Sequence, residues 1–300
     1  MLGVVLGIGV GSPTIASPPS FHQPLASALL TESDASARSL HSLVEQGKLA
    51  IEQEDYERAE EIWRQVINYD PSNANAYSQL GHTLREQEKL EDAIAAYEQA
   101  LSLDDGLADA YNGMGVTRSR MGELETAIAL HQQAIALAPD LASAYNNLGV
   151  ALAKQGQLTN GQAAFQQAID LDPSYANAYN NLGIVLRQQG ELEDAIAAYE
   201  RAIELNPDDA TTHNNLGVAL YTQNQLEAAI AAYEQAIALA PDYASAYNNL
   251  GNAQLLQHNF DAAAAAYRQA LSLQPDYPNA QQNLELIEQV LDLQTSPNQP

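Results

Sequence analysis

Asparagine is the residue whose type and spacing in this chain could do chemistry. Asn147, Asn181, Asn215, Asn249 and Asn283 recur at steps of 34 residues, and a second column, Asn112, Asn146, Asn180, Asn214 and Asn248, runs beside it at the same step. A primary amide is both donor and acceptor, so one Asn can accept from a backbone N–H and donate to a backbone C=O together. A row of them could hold an extended peptide without reading its sequence. Each such bond contributes about 0.5–1.5 kcal/mol net, so one rung is weak and several are useful. The competing reading is that Asn-Asn-Leu-Gly is the common spelling of a repeat, with the amides satisfying helix and inter-repeat contacts. Both readings stand at this level.

Basic residues are scarce: 12 Lys and Arg face 38 Asp and Glu, a net charge of −26. That balance repels phosphate backbones and anionic membrane surfaces, so neither nucleic acid nor a membrane is an expected partner. A solvated acidic face that keeps the chain soluble accounts for it. Arg85, Arg120, Lys154 and Arg187 fall at similar places in the repeat and could form a less acidic strip able to meet a carboxylate. The simpler alternative is a cation balancing the negative end of a helix.

Other reactive side chains form no catalytic pattern. The chain has no cysteine, which excludes disulfides, thiolate metal sites and a cysteine nucleophile. The six histidines, His22, His41, His82, His131, His213 and His258, include no i, i+4 pair, so no metal site and no cofactor is expected. His131 occupies the slot of Tyr97 and Phe165 and reads as a core residue. The pairs Glu91-Asp92 and Glu193-Asp194 stand at equivalent helix starts, where they complement the dipole. The chain reads as non-enzymatic.

The elements that carry these residues follow from the period. Leu80-Gly81, Leu148-Gly149, Leu182-Gly183, Leu216-Gly217 and Leu250-Gly251 mark it, and Pro71, Pro139, Pro173, Pro207, Pro241 and Pro275 close most cycles. Tyr145, Leu148 and Leu152 form one stripe of a helix. Gly156 ends that helix, as Gly122, Gly190 and Asn224 do in other cycles, because Gly and Asn tolerate the left-handed conformation. Leu158, Phe165, Ala168 and Leu171 supply the buried side of a second helix, which Pro173 terminates. Small residues, Gly149 with Ala93, Ala195 and Ala229, let helix axes approach, and Tyr97, Phe165, Tyr199, Tyr233 and Tyr267 fill the space between. A period of this length marks a solenoid, whose units bury their apolar faces only by stacking.

The pattern Tyr-x-x-Leu-Gly, small residue, Tyr or Phe, Ala, Pro resembles the tetratricopeptide repeat over about Leu40 to Tyr277. The resemblance implies an all-α fold: a right-handed α-solenoid of seven helix-turn-helix repeats (40–73, 74–107, 108–141, 142–175, 176–209, 210–243, 244–277) plus a C-terminal capping helix at 278–293. Residues 17–39 read as a flexible linker and the start of the first helix, and 294–300 as a disordered tail. The apolar run at 2–11 and Thr14-Ile15-Ala16 suggest a signal peptide over 1–16, and with it export to a periplasm or lumen. No Lys or Arg precedes the run, so a cytoplasmic location stays open. Departures from the pattern, Arg118 in place of Leu, Asp105 in place of Pro and Gly161 in place of Ala, predict local softness around Asp105 to Arg118 and a weaker second helix in the fourth unit.

The family resemblance also implies where a ligand would lie. First helices of such repeats line a concave face, and both asparagine columns, with Arg120, Lys154 and Arg187, would face it. The columns are similar to the asparagine ladder in the repeat arm of O-GlcNAc transferases, without a transferase domain. The Lys/Asn/Arg clamp of chaperone-tail receptors has no counterpart, because the matching positions hold Asn146, Val150, Asn181, Ser245 and Asn249. The expected function is a scaffold holding an extended segment of a partner protein. Self-association by end-to-end stacking, or service as a regulatory arm of a separately encoded enzyme, are the alternatives.

Overall fold

The computed structural model describes residues 25–295, with side chains described from 39 to 289. Residues 1–24, including the expected signal peptide and the first part of the expected linker, lie outside that range, as does most of the expected tail. Fifteen helices and no strand occur among the described residues. They run α1 (Leu25–Glu52), α2 (Tyr56–Tyr69), α3 (Ala74–Glu86), α4 (Leu90–Leu103), α5 (Ala108–Arg120), α6 (Leu124–Leu137), α7 (Ala142–Lys154) and α8 (Leu158–Leu171). The series continues with α9 (Ala176–Gln189), α10 (Leu192–Leu205), α11 (Ala210–Thr222), α12 (Leu226–Leu239), α13 (Ala244–Leu256), α14 (Phe260–Leu273) and α15 (Pro278–Thr295). Each odd helix pairs with the even helix after it, seven times over, and α15 packs on α14. α1 begins well inside the segment read as a linker. Residues 25–39, rich in Ala, Leu and Ser with no Gly or Pro, let the helix extend toward its N-terminus.

Helix ends follow the local chemistry. α8 stops at Leu171, two residues before Pro173, since the residue before a proline is pushed out of the helical region. Between paired helices the chain turns through a left-handed residue: Gly122, Gly156 and Gly190 have φ of 83°, 85° and 87°, and Asn224 has 61°. Glu54, Glu88 and His258 adopt the same conformation, with φ of 57–62°. That conformation is about 1–2 kcal/mol unfavourable for a residue with a Cβ. The paired helices on either side hold it in place.

Within each pair, one contact sets the helix spacing. The Gly of each Leu-Gly pair lies under the aromatic ring sixteen positions later: Gly81 under Tyr97, Gly149 under Phe165, Gly183 under Tyr199, Gly217 under Tyr233 and Gly251 under Tyr267. A Cβ built on any of these glycines would fall 2.5–2.9 Å from ring carbon, closer than real contacts allow. Gly47 under Trp63 and Gly115 under His131 repeat the arrangement with a different ring. All seven rings are buried. The Ala residues at 93, 127, 195, 229 and 263 are wholly buried against the facing helix, and Gly161 takes their place in α8.

Between pairs, neighbouring odd helices touch (α3–α5, α5–α7, α7–α9, α9–α11, α11–α13), whereas neighbouring even helices have at most sparse contact. Bringing one set of helices together along the stack while the other splays bends the array, with the odd helices on the inner face. The contact between α4 and α5 is sparser than that between other helices joining successive pairs, but α3 and α5 touch more extensively than any other neighbouring odd helices, so the joint as a whole matches the others. Asp104-Asp105-Gly106 replaces the proline turn, and Arg118 turns its guanidinium out to Glu123 (2.8 Å) instead of filling a leucine's place.

Candidate functional site

The inner face carries both asparagine columns, but they do different things. On a helix, adjacent residues point about 100° apart. One column therefore faces the joint with the next repeat while its neighbour faces the groove. Asn112, Asn146, Asn214 and Asn248 are buried in the joints, at 5–9% exposure, and Asn180 is half-buried. Their Oδ1 atoms accept from the Nδ2 of the other column one repeat on: Asn147 donates to Asn112 (3.1 Å), Asn181 to Asn146 (3.0 Å), Asn215 to Asn180 (3.0 Å) and Asn249 to Asn214 (2.9 Å). The sequence left two readings open for both columns, amides facing a groove or amides joining repeats. The structure makes the buried column a set of inter-repeat clips.

The clips orient the outer column. Asn147, Asn181, Asn215 and Asn249 are half-buried, and each commits one N–H to its clip. An amide has two N–H donors and a carbonyl with two lone pairs, so each retains a donor and an acceptor. A side chain already fixed in one rotamer loses less entropy when it binds.

The basic residues separate into two groups. Arg85 and Arg120 both grip Glu86, at 2.6 and 2.9 Å, and Arg120 also meets Glu88 at 2.9 Å. Burial pushes the Glu86 carboxyl up, but the two guanidiniums outweigh it and hold it below the ordinary carboxylate range. Arg120 is thus occupied by the chain's own carboxylates. Lys154 and Arg187 form no ion pair among the described residues. Lys154 is exposed at the groove, while Arg187 is half-buried with its Nε lacking a partner. Its guanidinium lies near the buried Tyr199 hydroxyl, whose pKa burial raises.

The groove itself is a chain of small depressions. One of about 150 Å³ between α5 and α7 has Asn147, Arg120 and Lys154 on its wall. The next, of about 240 Å³ between α7 and α9, has Asn181 at its edge and Val150, Ile184 and Phe165 within. A larger hollow of about 370 Å³ lies between the even helices α8 and α10, rimmed by Glu191 and Asp194, and contains none of the asparagines. No cluster of His, Asp and Glu able to hold a metal occurs among the described residues.

These are paired helices in a bent stack with one ring–glycine contact per unit, and the comparison with known families agrees. The family of the cilia and flagella-associated protein 70 C-terminal domain matches residues 21–286. The chain belongs to this tetratricopeptide-repeat family. Solved repeat structures share its fold. A chain of the APC/C hetero-tetramer Cut9–Hcn1 superimposes with a TM-score of 0.69 at 22% identity, over 83% of this chain and 48% of that one. PilF of Pseudomonas aeruginosa gives 0.63 at 23%, covering 71% of this chain and 96% of that chain. YrrB, described as a TPR protein with an unusual peptide-binding site, gives 0.52 at 24%, over 63% and 97%. The chain thus spans about half the length of that subunit of the Cut9–Hcn1 complex, and likenesses at this identity show the fold alone. A search of curated proteins found no match.

In this tetratricopeptide-repeat array the clip pattern has two ends. It begins at Asn112, because the preceding joint has Ser78 and Gly113, and a Cβ at Gly113 would collide with the Tyr97 hydroxyl at 2.5 Å. It is diverted at the last joint. Asn283 donates to Asn252 (3.1 Å) rather than to Asn248, whose Oδ1 is left buried without a partner. Asn252 stands where the third to sixth repeats hold Val or Ile, and the Tyr267 hydroxyl also donates to it (2.7 Å). In the third repeat His131 takes the aromatic position, and its Nδ1 lies 2.9 Å from Asn112 Oδ1. Since Asn112 Oδ1 is an acceptor, His131 donates through Nδ1–H as the neutral ring.

Proposed function

We propose that the protein is a non-enzymatic scaffold that holds an extended segment of a partner protein along the inner face of its repeat stack. The observation that carries this reading is the row of clipped amides at Asn147, Asn181, Asn215 and Asn249, one per repeat. Adjacent helix axes lie about 8–10 Å apart, and an extended chain advances about 3.3 Å per residue, so one amide meets about every third residue. The remaining donor and acceptor on each amide match the C=O and N–H of a peptide bond. The likeness in fold to YrrB, a repeat protein described by its peptide-binding site, agrees with such a use.

Replacing Asn181, Asn215 and Asn249 together by Ala should weaken capture of a randomised, fluorescein-labelled peptide pool by roughly 10–1,000-fold, three lost bonds' worth. The variant also removes clips, so a second triple, Asn146, Asn180 and Asn214 to Ala, separates the effects. It breaks the same joints but leaves the groove amides in place, and its binding should fall much less. Equal losses in both triples, or unchanged binding in the first with circular dichroism showing intact helix, would contradict the ladder.

A further inference from the structure

We propose that the groove reads one part of its ligand's sequence: an aliphatic side chain enters a pocket between the fourth and fifth repeats, and an Asp or Glu about three residues away meets Lys154. The inference rests on the peptide-holding reading above and adds to it a specificity that backbone-binding amides cannot supply.

The pocket exists because two positions depart from the repeat together. Ala153, which lines the pocket, stands where Arg85, Arg187, Tyr221 and Leu255 stand in other repeats; only Ser119 in the third repeat is comparably small. Phe165 stands where Tyr97, Tyr199, Tyr233 and Tyr267 carry a hydroxyl. With both truncated, an opening of about 240 Å³ remains, walled by Val150, Ile184 and Val185 with Phe165 at its base. Its surface is apolar, so water filling it would find few partners, and an aliphatic side chain would be favoured there. Asn181 sits at the rim, placing the pocket directly beneath a rung of the ladder.

The neighbouring depression, between α5 and α7, shares Val150 and Lys154 with the pocket. Neither is lined by a carboxylate, in a chain of net charge −26. Arg120 is matched by Glu86 and Glu88, so Lys154 is the uncompensated charge, exposed and without an ion pair among the described residues. Beside it, Ser119 Oγ is buried and has no hydrogen-bond partner. An incoming carboxylate would complement the lysine. The two depressions belong to successive joints, and three residues of a polyproline-II-like segment advance about 9 Å, matching the helix spacing.

The test is a positional-scanning library of acetylated, amidated nonapeptides, read by fluorescence anisotropy against the full chain. Leu, Ile, Val or Met should be preferred at one position by about tenfold over Gly. Asp or Glu should be preferred about three positions away, with an affinity that falls as salt rises. Ala153→Arg introduces the residue that two other repeats already carry at this place, and it should abolish the aliphatic preference. Lys154→Gln, the residue found at 188, should abolish the acidic preference and its salt dependence. Binding without positional preference, or preferences that survive both substitutions, would overturn this inference while leaving the scaffold reading intact. No binding of any pool would overturn both.

Discussion

Gly217→Ala should destabilise the array by about 1–3 kcal/mol, although Ala is the better helix former by about 1 kcal/mol. The new methyl would sit 2.5 Å from Cε1 and 2.7 Å from Cδ1 of Tyr233, a ring that is 1% exposed and cannot step aside. The helices α11 and α12 would have to separate, and the joints on either side would loosen with them. Tyr233→Ala should also be severe, about 3–5 kcal/mol, because it leaves a ring-sized void. The pair is informative through its coupling. Once the ring is gone, Gly217→Ala has nothing to strike and should become neutral or stabilising, so the two changes should be strongly non-additive. Urea unfolding followed by circular dichroism measures all four proteins. Additive losses would show that the glycine is not there for the ring. Repeat arrays need not unfold in one step, so the comparison belongs at the midpoint of the transition that includes these helices.

His131 should make the third repeat sensitive to acid. Burial pushes its pKa down from 6.5 to about 4. The folded ring is neutral where the unfolded one takes up a proton, so the unfolded state binds more protons between those two values. The stabilisation is complete above about pH 6.5 and is lost as pH falls toward 4. Over that window the loss is on the order of 3 kcal/mol for this one residue. The many carboxylates titrate nearby, so absolute stability against pH does not isolate the histidine. The difference between the wild-type chain and His131→Phe does, since Phe165 fills the same position one repeat later. The wild type should lose stability relative to the variant as pH drops from 7.5 to 4. A constant difference across that range would mean that the ring is already solvated or charged in the fold.

These expectations locate what could be read from the chain and what could not. The helix pairs, their turns and the left-handed residues Gly122, Gly156, Gly190 and Asn224 are local, and local chemistry sets them. The ring–glycine contact was half visible: small and large residues had evident packing roles, but which glycine lies beneath which ring needs the angle between two helices. The two asparagine columns are spelled identically in sequence. Only the bend of the stack decides that Asn146 enters a joint while Asn147 meets the groove. Arg85 and Arg120 looked equivalent to Lys154 and Arg187 until Glu86 and Glu88 were seen to claim the first two. Asn283 kept the period, yet it donates to Asn252 rather than to Asn248. Such outcomes depend on contacts between repeats, where residues 30 or more positions apart compete for one hydrogen bond.

The most direct measurement of the central claim is the side-chain amide spectrum of selectively ¹⁵N-asparagine-labelled protein, titrated with the tightest-binding member of the nonapeptide library. The Nδ2 resonances of Asn147, Asn181, Asn215 and Asn249 should shift together and saturate at one concentration. Asn160 and Asn206, exposed on and just beyond the even helices, should stay fixed. Shifts at Asn160 or Asn206, or a saturating peptide that moves none of the groove amides, would contradict a ligand held on the inner face.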